Sequence, residues 1–460
     1  MSYTFFISRE LSGPYKFLIA SSKFHIERKL KIKLLFEKFK RKKLFNLKCF
    51  FFIVGNIINL SFFSTKRIML IKYENFDVSR YAISRVFFNY YSYLNPLVYF
   101  FECLKNFYLC ALTIESLMSI KKKNIKAAFV DHGMYTNGLM IEFFTQNKIP
   151  IYSIGYPRGL FCAVTKKNKK IKYEELIELK KSNSLNRKKI TKAEKSIDKI
   201  ISKTELIPWM KSVDFKKFNH YSIKKVTHII YAHAFTDAQL VHGYDGFRNV
   251  FEWLEFTINY LLKNKRNKIL IKAHPIFFHN KFPNKNNIFD QKLFDKLYNK
   301  YKDNKQVIIF KHAIKNGDLL KRIDKKTILI SHHGSAILEG LHLGFKCIAS
   351  TKTFWNKNFK LTNQWENIEE YKTKLNKKWN NLNFCKKKDL YDVCFQLFCN
   401  ESGLYGKKFW QEIISKELEI DRKVLYENVI KIFKNLDLEK KKFKRITQKI
   451  SNTILTSELN

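Results

Sequence analysis

The chain has 460 residues, 45% of them hydrophobic and 16% aromatic, and carries a formal charge of +47. That is too much apolar material for a disordered chain and too great a length for one ordinary core, so at least two globular domains are expected. The charge excess is nearly all Lys and runs along the whole length. No zinc-finger, RRM-like or KH-like motif accompanies it, so nucleic acid is not the expected partner, and a surface facing anionic lipid or anionic glycan accounts for the charge at least as well.

In chain order, "MSYTFFISRELSGPYKF" meets charge before it builds an apolar run, so no secretory signal is expected. The apolar stretch "CFFFIVGNIINLSFF" (Cys49 to Phe63) is shorter than the ~20 residues a spanning helix needs and is interrupted by Asn and Gly. It predicts a buried strand and turn. The basic run "KFKRKK" (Lys38 to Lys43) just before it leaves open a peripheral contact with anionic lipid on the inner face of the plasma membrane. "RIMLIKY" (Arg67 to Tyr73) predicts a strand and Leu97 to Lys123 a long helix. "KAAFVDHG" (Lys126 to Gly133) predicts a strand with its loop, Thr136 to Lys148 a helix, and Ile149 to Gly155 another strand. That rhythm argues for a parallel sheet with helices on its faces.

From 166 to 215 the chain is charged and almost free of aromatics until near its end, which predicts solvated helices and a linker. A second rhythm follows. Strands are expected at Val226 to Phe235, Lys268 to Pro275, Gln306 to Lys311, Thr327 to His333 and Phe345 to Ser350, with helices at Asn249 to Asn264, around Leu293 to Lys302, and from Ser335. The last seventy or so residues read as mainly helical and Lys-rich. The eight cysteines show no C-x-x-C pair and no metal-ligand spacing with His, and read as buried thiols of a reducing compartment.

Ligands of open α/β sheets bind at the carboxyl ends of the strands, so the informative residues are those just past each expected strand. "ILIKAHP" ends with Lys272, His274 and Pro275, and proline ends the ladder because it has no N–H to donate. "SHHGSAILEG" offers His333, a Gly334 turn, Ser335 as a helix cap and Glu339 one turn further along the same face. Donors gathered at a helix start would suit a phosphate. "YAHAFTDAQ" adds His233 and Asp237, and "HGYDGF" follows with Asp245. In the first half, "FVDHGMYTNG" places Asp131 and His132 after a strand, where either could take a proton from an acceptor hydroxyl.

The segments "YAHAFTDAQ", "FEWLEFTINYLL" and "ILIKAHP", followed by "SHHGSAILEGLHLGFKCIAS", resemble the capsule polysaccharide biosynthesis glycosyltransferases and, more distantly, bacterial sialyl- and Kdo-transferases with an H-P motif and a Ser-containing loop. The likeness covers the second half well and the first half only through the "DHG" loop. It implies an α/β, GT-B-like fold: two doubly wound Rossmann-like domains facing a cleft. The first, acceptor-side, would span 1–215 (with the linker 166–215), the second, nucleotide-sugar-binding, 216–385, and helices and a Lys-rich tail would fill 386–460. The resemblance also implies a nucleotide-activated sugar as substrate, with no cofactor and no bound metal. His274 would hold the donor phosphate, Ser335 would occupy the phosphate position, and Glu339 would lie near the ribose. His233, Asp237, Lys272, His333 and Gly334 complete the expected donor site. Asp131 stands where those families keep an acidic base, although their acid-acid-Gly is Asp131-His132-Gly133 here, so the base is Asp131 or His132. The acceptor would be a capsular or other surface polysaccharide or its lipid-linked precursor. Polyol-phosphate transfer of the teichoic-acid type is the alternative within the class. A non-catalytic basic protein that holds an anionic polymer is the alternative outside it.

Overall fold

A computed structural model of the chain describes residues 3–7, 46–62, 65–87, 89–118, 125–130, 136–147, 151–155, 159–163, 181–182, 185–202, 213–217, 223, 225–237, 239–278, 285–353 and 355–399. Two sheets organise them. The first has the order β1-β2-β3-β4, formed by Tyr3–Ile7, Ile125–Val130, Ile151–Gly155 and Gly159–Ala163. β1, β2 and β3 run parallel and β4 returns antiparallel on β3. The helices of this half are α1 (Leu47–Phe62), α2 (Ser79–Val86), α3 (Pro96–Met118) and α4 (Thr136–Gln146).

The second sheet is wholly parallel, with strands β5 (His228–Tyr231), β6 (Ile269–Lys272), β7 (Val307–Ile309), β8 (Ile328–Ser331), β9 (Cys347–Ser350) and β10 (Asn363–Trp365) in the order β10-β9-β8-β5-β6-β7. Short runs of Ile, Leu and Val with no polar alternation are what a strand covered on both faces requires. Alternate residues go to opposite cores. Ile229, Tyr231, Leu270 and Leu329 face one cluster, while Ile230, Ile269, Ile271, Ile328 and Ile330 face the other. Helices α6 (Val250–Leu262), α7 (Lys285–Tyr301) and α10 (Ile368–Leu375) cover the second of these faces. Helices α5 (Arg187–Ser202), α8 (Asn316–Leu320), α9 (Ile337–His342) and α11 (Lys387–Cys394) cover the first. Helix starts are fastened locally: Asn249 caps Glu252 N at 2.8 Å and Asn367 caps Glu370 N at 3.0 Å. The α/β class and the paired sheets are those expected.

Several local expectations differ. Cys49 to Phe63 is not a buried strand and turn but helix α1, which packs Cys49 and Leu60 against the first core. A short apolar run does not distinguish strand from helix by periodicity alone, and here packing against α3 decides. Arg67 to Tyr73 is not a strand: a single helical turn, Thr65–Ile68, leads into a tight turn in which Tyr73 and Phe76 exchange backbone hydrogen bonds. Glu74 at its bend has φ 52°. Helix α5, expected in the solvated linker, instead buries Ala193, Ile197 and Ile201 in the second unit's core. That core also takes in Leu390, Tyr391, Val393 and Cys394 of α11, so the second unit draws chain from both sides of 216–385. Strands β1, β4 and β10 carry no strand expectation in the sequence reading. Among the described residues Cys49, Cys103, Cys110, Cys347 and Cys394 are free and buried, Cys385 is free and half-buried, and the buried Cys399 Sγ lies 3.0 Å from Ser196 Oγ.

Candidate functional site

The order of the second sheet fixes where a ligand belongs. From β5 the chain winds outward through β6 and β7, then returns to β8 on the other side of β5 and continues through β9 to β10. The winding direction reverses between β5 and β8, and such a reversal leaves a crevice at the strands' carboxyl ends. His233 lies two residues past β5, and His332 and His333 directly follow β8. Lys272 ends β6, with His274 two residues on.

The three expected imidazoles meet there. The rings of His233 and His333 have centroids 3.9 Å apart, and those of His233 and His274 5.6 Å apart. Burial pulls all three below the ordinary imidazole value, His274 and His333 well below it; neighbouring cations add to the drop at His274 and His333, whereas Asp237 opposes it at His233. At neutral pH the three rings are therefore uncharged.

Their hydrogen bonds settle which nitrogen carries the proton in that state. His274 Nδ1 accepts from the backbone N–H of Ile276 at 3.3 Å, which leaves the ring proton on Nε2. His233 Nδ1 donates to the carbonyl of Ala234 at 3.2 Å, which leaves Nε2 as an acceptor. His333 belongs to a longer chain. His332 Nε2 lies 2.9 Å from Asp245 Oδ2 and donates to it, and the same oxygen accepts from Ser350 Oγ at 2.7 Å. His332 Nδ1 and His333 Nδ1 are 2.7 Å apart, so with both rings neutral His333 donates and its Nε2 is bare. One added proton reverses that nitrogen. A protonated His333 carries a hydrogen on both ring nitrogens, so its Nε2 becomes a donor. The fully buried Asp245 waits at the far end of the pair to balance the charge.

The glycine turn is built for this arrangement. Ser331 Oγ accepts from Gly334 N at 2.9 Å, and a Cβ on Gly334 would stand 3.0 Å from that hydroxyl. Ser331, not Ser335, therefore fastens the turn, because Ser335 is exposed and the helix cap falls at Ala336 with no side-chain bond. Helix α9 is only six residues long, so positive charge at the site would have to come from protonated imidazoles and not from a long helix dipole. Glu339 and Lys272 lie beneath the cluster and act on each other. Burial raises Glu339 and lowers Lys272, each opposed by the other's charge, while Glu339 accepts from Asn316 Nδ2 at 3.1 Å. Asp237 is exposed on the loop after β5. That loop is anchored by the buried Asp290 of α7, which accepts from Thr236 N at 2.8 Å.

Of the expected donor-site residues, the structure brings together His233, His274 and His333 around Gly334, with Lys272 and Glu339 behind them. Asp131 and His132 lie outside the described residues, directly after the last residue of β2. His332 and its pairing with Asp245 are not among the residues the sequence singles out for the site. The only sequence signal was their place past β8 and in the loop after β5. An open cleft at the opposite, amino-terminal edge of the same sheet, lined by Lys225, Thr227, His228 and Trp379 among others, shares no residue with the imidazole cluster.

No family model matches the chain, and no curated protein matches it in sequence. Among solved structures it is similar to Thermosulfurimonas dismutans KpsC, a beta Kdo 2,4 transferase, at 12% identity over 59% of this chain and 80% of that one, with a TM-score of 0.36. It is similar to the UDP-GlcNAc 2-epimerase of Methanocaldococcus jannaschii at 13% identity over 85% and 98% of the two chains, with a TM-score of 0.29. It is also similar to a glycosyltransferase from Rickettsia africae ESF-5 at 12% identity over 95% and 99%, with a TM-score of 0.27. The functional reading rests on the geometry of the site itself.

Proposed function

We propose that the protein is a glycosyltransferase that moves a sugar from a nucleotide-activated donor to a capsular or other surface polysaccharide, or to its lipid-linked precursor. The supporting observation is the convergence of His233, His274 and His333 at the reversal point of the second sheet, where an anionic group of a ligand would sit. When neutral, His274 carries its proton on Nε2, but His233 and His333 present bare Nε2 atoms, so a phosphate gains donors from those two rings only if they take up protons as it enters. A dianion favours that uptake, and Asp245 balances it through His332. As the bond between the sugar's anomeric carbon and the phosphate oxygen breaks, charge grows on the departing phosphate. The protonated imidazoles stabilise that charge from positions fixed before the reaction. The acceptor hydroxyl gives its proton to a base on the first unit, and Asp131 or His132 is assigned that role.

The decisive experiment incubates purified protein with CMP-, UDP- and GDP-sugars, with and without EDTA, and identifies the nucleotide released in the presence of a surface-glycan acceptor. One nucleotide should appear, at the same rate in chelator, because the cluster supplies the positive charge. Release of none from the panel, or release that EDTA abolishes and metal restores, contradicts the reading.

A further inference from the structure

Helix α1 is oriented with the wrong residues outward for a helix in water. Its inner side rests Cys49 and Leu60 in the first core, with Phe52 and Ile53 packed against it. Its outer side carries Leu47, Phe50, Phe51, Val54, Ile57 and Ile58, spaced as one helical stripe, and all are exposed. Leu47 is 58%, Phe51 61% and Ile58 62% exposed, where a water-facing helix would place charge. Lys48 is the only ionisable side chain between Leu47 and Phe62 apart from the buried thiol of Cys49. The same helical layer also exposes Leu70 and, on α3, Leu97 and Phe101.

The polar side chains of α1 are turned back on the helix itself. Asn56 Nδ2 donates to the carbonyl of Phe52 at 2.9 Å and Ser61 Oγ to that of Ile57 at 2.6 Å. Asn59 Nδ2 reaches Asn56 Oδ1 at 3.4 Å. These groups therefore do not depend on water for partners, which lowers the cost of moving the helix into an apolar medium. The flanking charge has one sign. Between Lys38 and Lys72 the sequence carries Lys38, Lys40, Arg41, Lys42, Lys43, Lys48, Lys66, Arg67 and Lys72, and no Asp or Glu. Lys48, Lys66, Arg67 and Lys72 are exposed.

We infer that the outer face of α1 is a docking surface for an anionic lipid bilayer, with the helix lying in the plane of the headgroup boundary. An apolar stripe whose own segment, Lys38 to Lys72, carries nine cations and no carboxylate is complementary to hydrocarbon beneath a layer of negative headgroups. It does not match a second copy of this chain, whose strong net positive charge would oppose contact. The helix lies along the surface and does not span. Its 16 residues reach about 24 Å, short of the ~30 Å hydrocarbon core, and its inner side is committed to protein. Helix α3 has the length and composition to span, but it buries Cys103, Phe107, Cys110, Ala111, Ile114 and Leu117 as a core helix does. This placement is independent of the sugar-transfer reading.

The test is co-sedimentation of the full chain with phosphatidylcholine vesicles and with vesicles of phosphatidylcholine and phosphatidylglycerol in equal parts. The chain should sediment with the mixed vesicles and little with the neutral ones. The double variant Phe51→Ser/Ile58→Ser removes two exposed apolar side chains and should weaken binding about tenfold or more at unchanged circular dichroism. Lys48→Glu/Lys66→Glu should weaken it as well and make what remains less sensitive to salt. Should the double variant fold poorly, Phe51→Trp serves in its place: brominated lipid should quench the added fluorescence beyond any change seen in the unaltered chain. Equal sedimentation with both vesicle types, binding untouched by the apolar substitutions, no extra quenching at Phe51→Trp, or a dimer that those substitutions convert to monomer would each overturn the inference.

Discussion

The carboxyl edge of the second sheet and the outer face of α1 deviate from an ordinary protein surface in opposite directions. At the sheet edge, polar and titratable side chains are drawn inward. His332 and Asp245 are buried and bonded to each other, and three neutral imidazoles crowd within contact. On α1, large apolar side chains are pushed outward. Both arrangements cost stability in isolation, the first by desolvating polar groups and the second by exposing hydrocarbon. On the readings proposed above, a compact anion would offset the first cost and an extended apolar boundary the second.

The comparison can be broken most sharply at the acceptor base. Asp131→Asn is expected to cut turnover by ~10²-fold or more with donor-nucleotide affinity nearly unchanged, since a base matters when the hydroxyl loses its proton and not when the donor binds. His132→Ala should cost less. Near-normal turnover in Asp131→Asn with none in His132→Ala would reverse the two roles.

Asp245→Asn tests whether the buried pair governs the cluster. An amide can donate to His332 Nε2, which moves that ring's proton to Nδ1. His332 then donates to His333, and His333 Nε2 becomes a fixed donor that takes up no proton. Turnover should fall roughly 10- to 10²-fold. The pH dependence of nucleotide affinity, which should rise in the wild type as pH drops and the cluster protonates, should flatten. A variant with lower activity but an unaltered pH profile would make Asp245 merely structural.

Gly317→Ala addresses how the second unit is bounded. A Cβ there would collide with the backbone carbonyl of Ile201 at the end of α5, so the substitution should cost about 1–3 kcal/mol, read as a lowered denaturation midpoint. If α5 were a detached linker helix, the substitution would be neutral or stabilising, because alanine favours a helix over glycine.

The smallest effect is on stability against pH. Burial holds His228, His233, His274 and His333 below the ordinary imidazole value of 6.5. Below that pH the unfolded chain binds more protons than the folded one. The stabilisation from neutral burial is thus full above about pH 6.5 and is lost as pH falls toward the depressed values. The melting temperature should decline from about pH 7 to about pH 5, and a bound nucleotide should offset part of the decline. A flat profile would mean that the rings are not held neutral.

Strands β5, β6, β8 and β9 were legible from their unbroken apolar runs, because a strand covered on both faces needs apolar residues at every position. Past three of them, His233, His274 and His333 were legible as site candidates by position alone. Asp245 was visible in its loop, but nothing local links it to His332. A hydrogen bond between residues on separate loops exists only once β5 and β8 lie side by side. Ser331 and Ser335 are equally plausible turn serines in the string, and the backbone geometry after β8 selects Ser331.

The sequence by itself thus determined the α/β class, the parallel second sheet, the loops that carry the imidazoles and the one-signed charge around α1. These follow from composition and short-range periodicity, which act within a few residues. The tertiary structure alone decided that the winding reverses between β5 and β8, that α5 and α11 complete the second core, and that Asp245 steadies His333 through His332. It also decided which side of α1 meets the protein. An apolar stripe reads the same whether it faces a core or a lipid, and only the packing of Cys49 and Leu60 inward leaves Phe51 and Ile58 facing out.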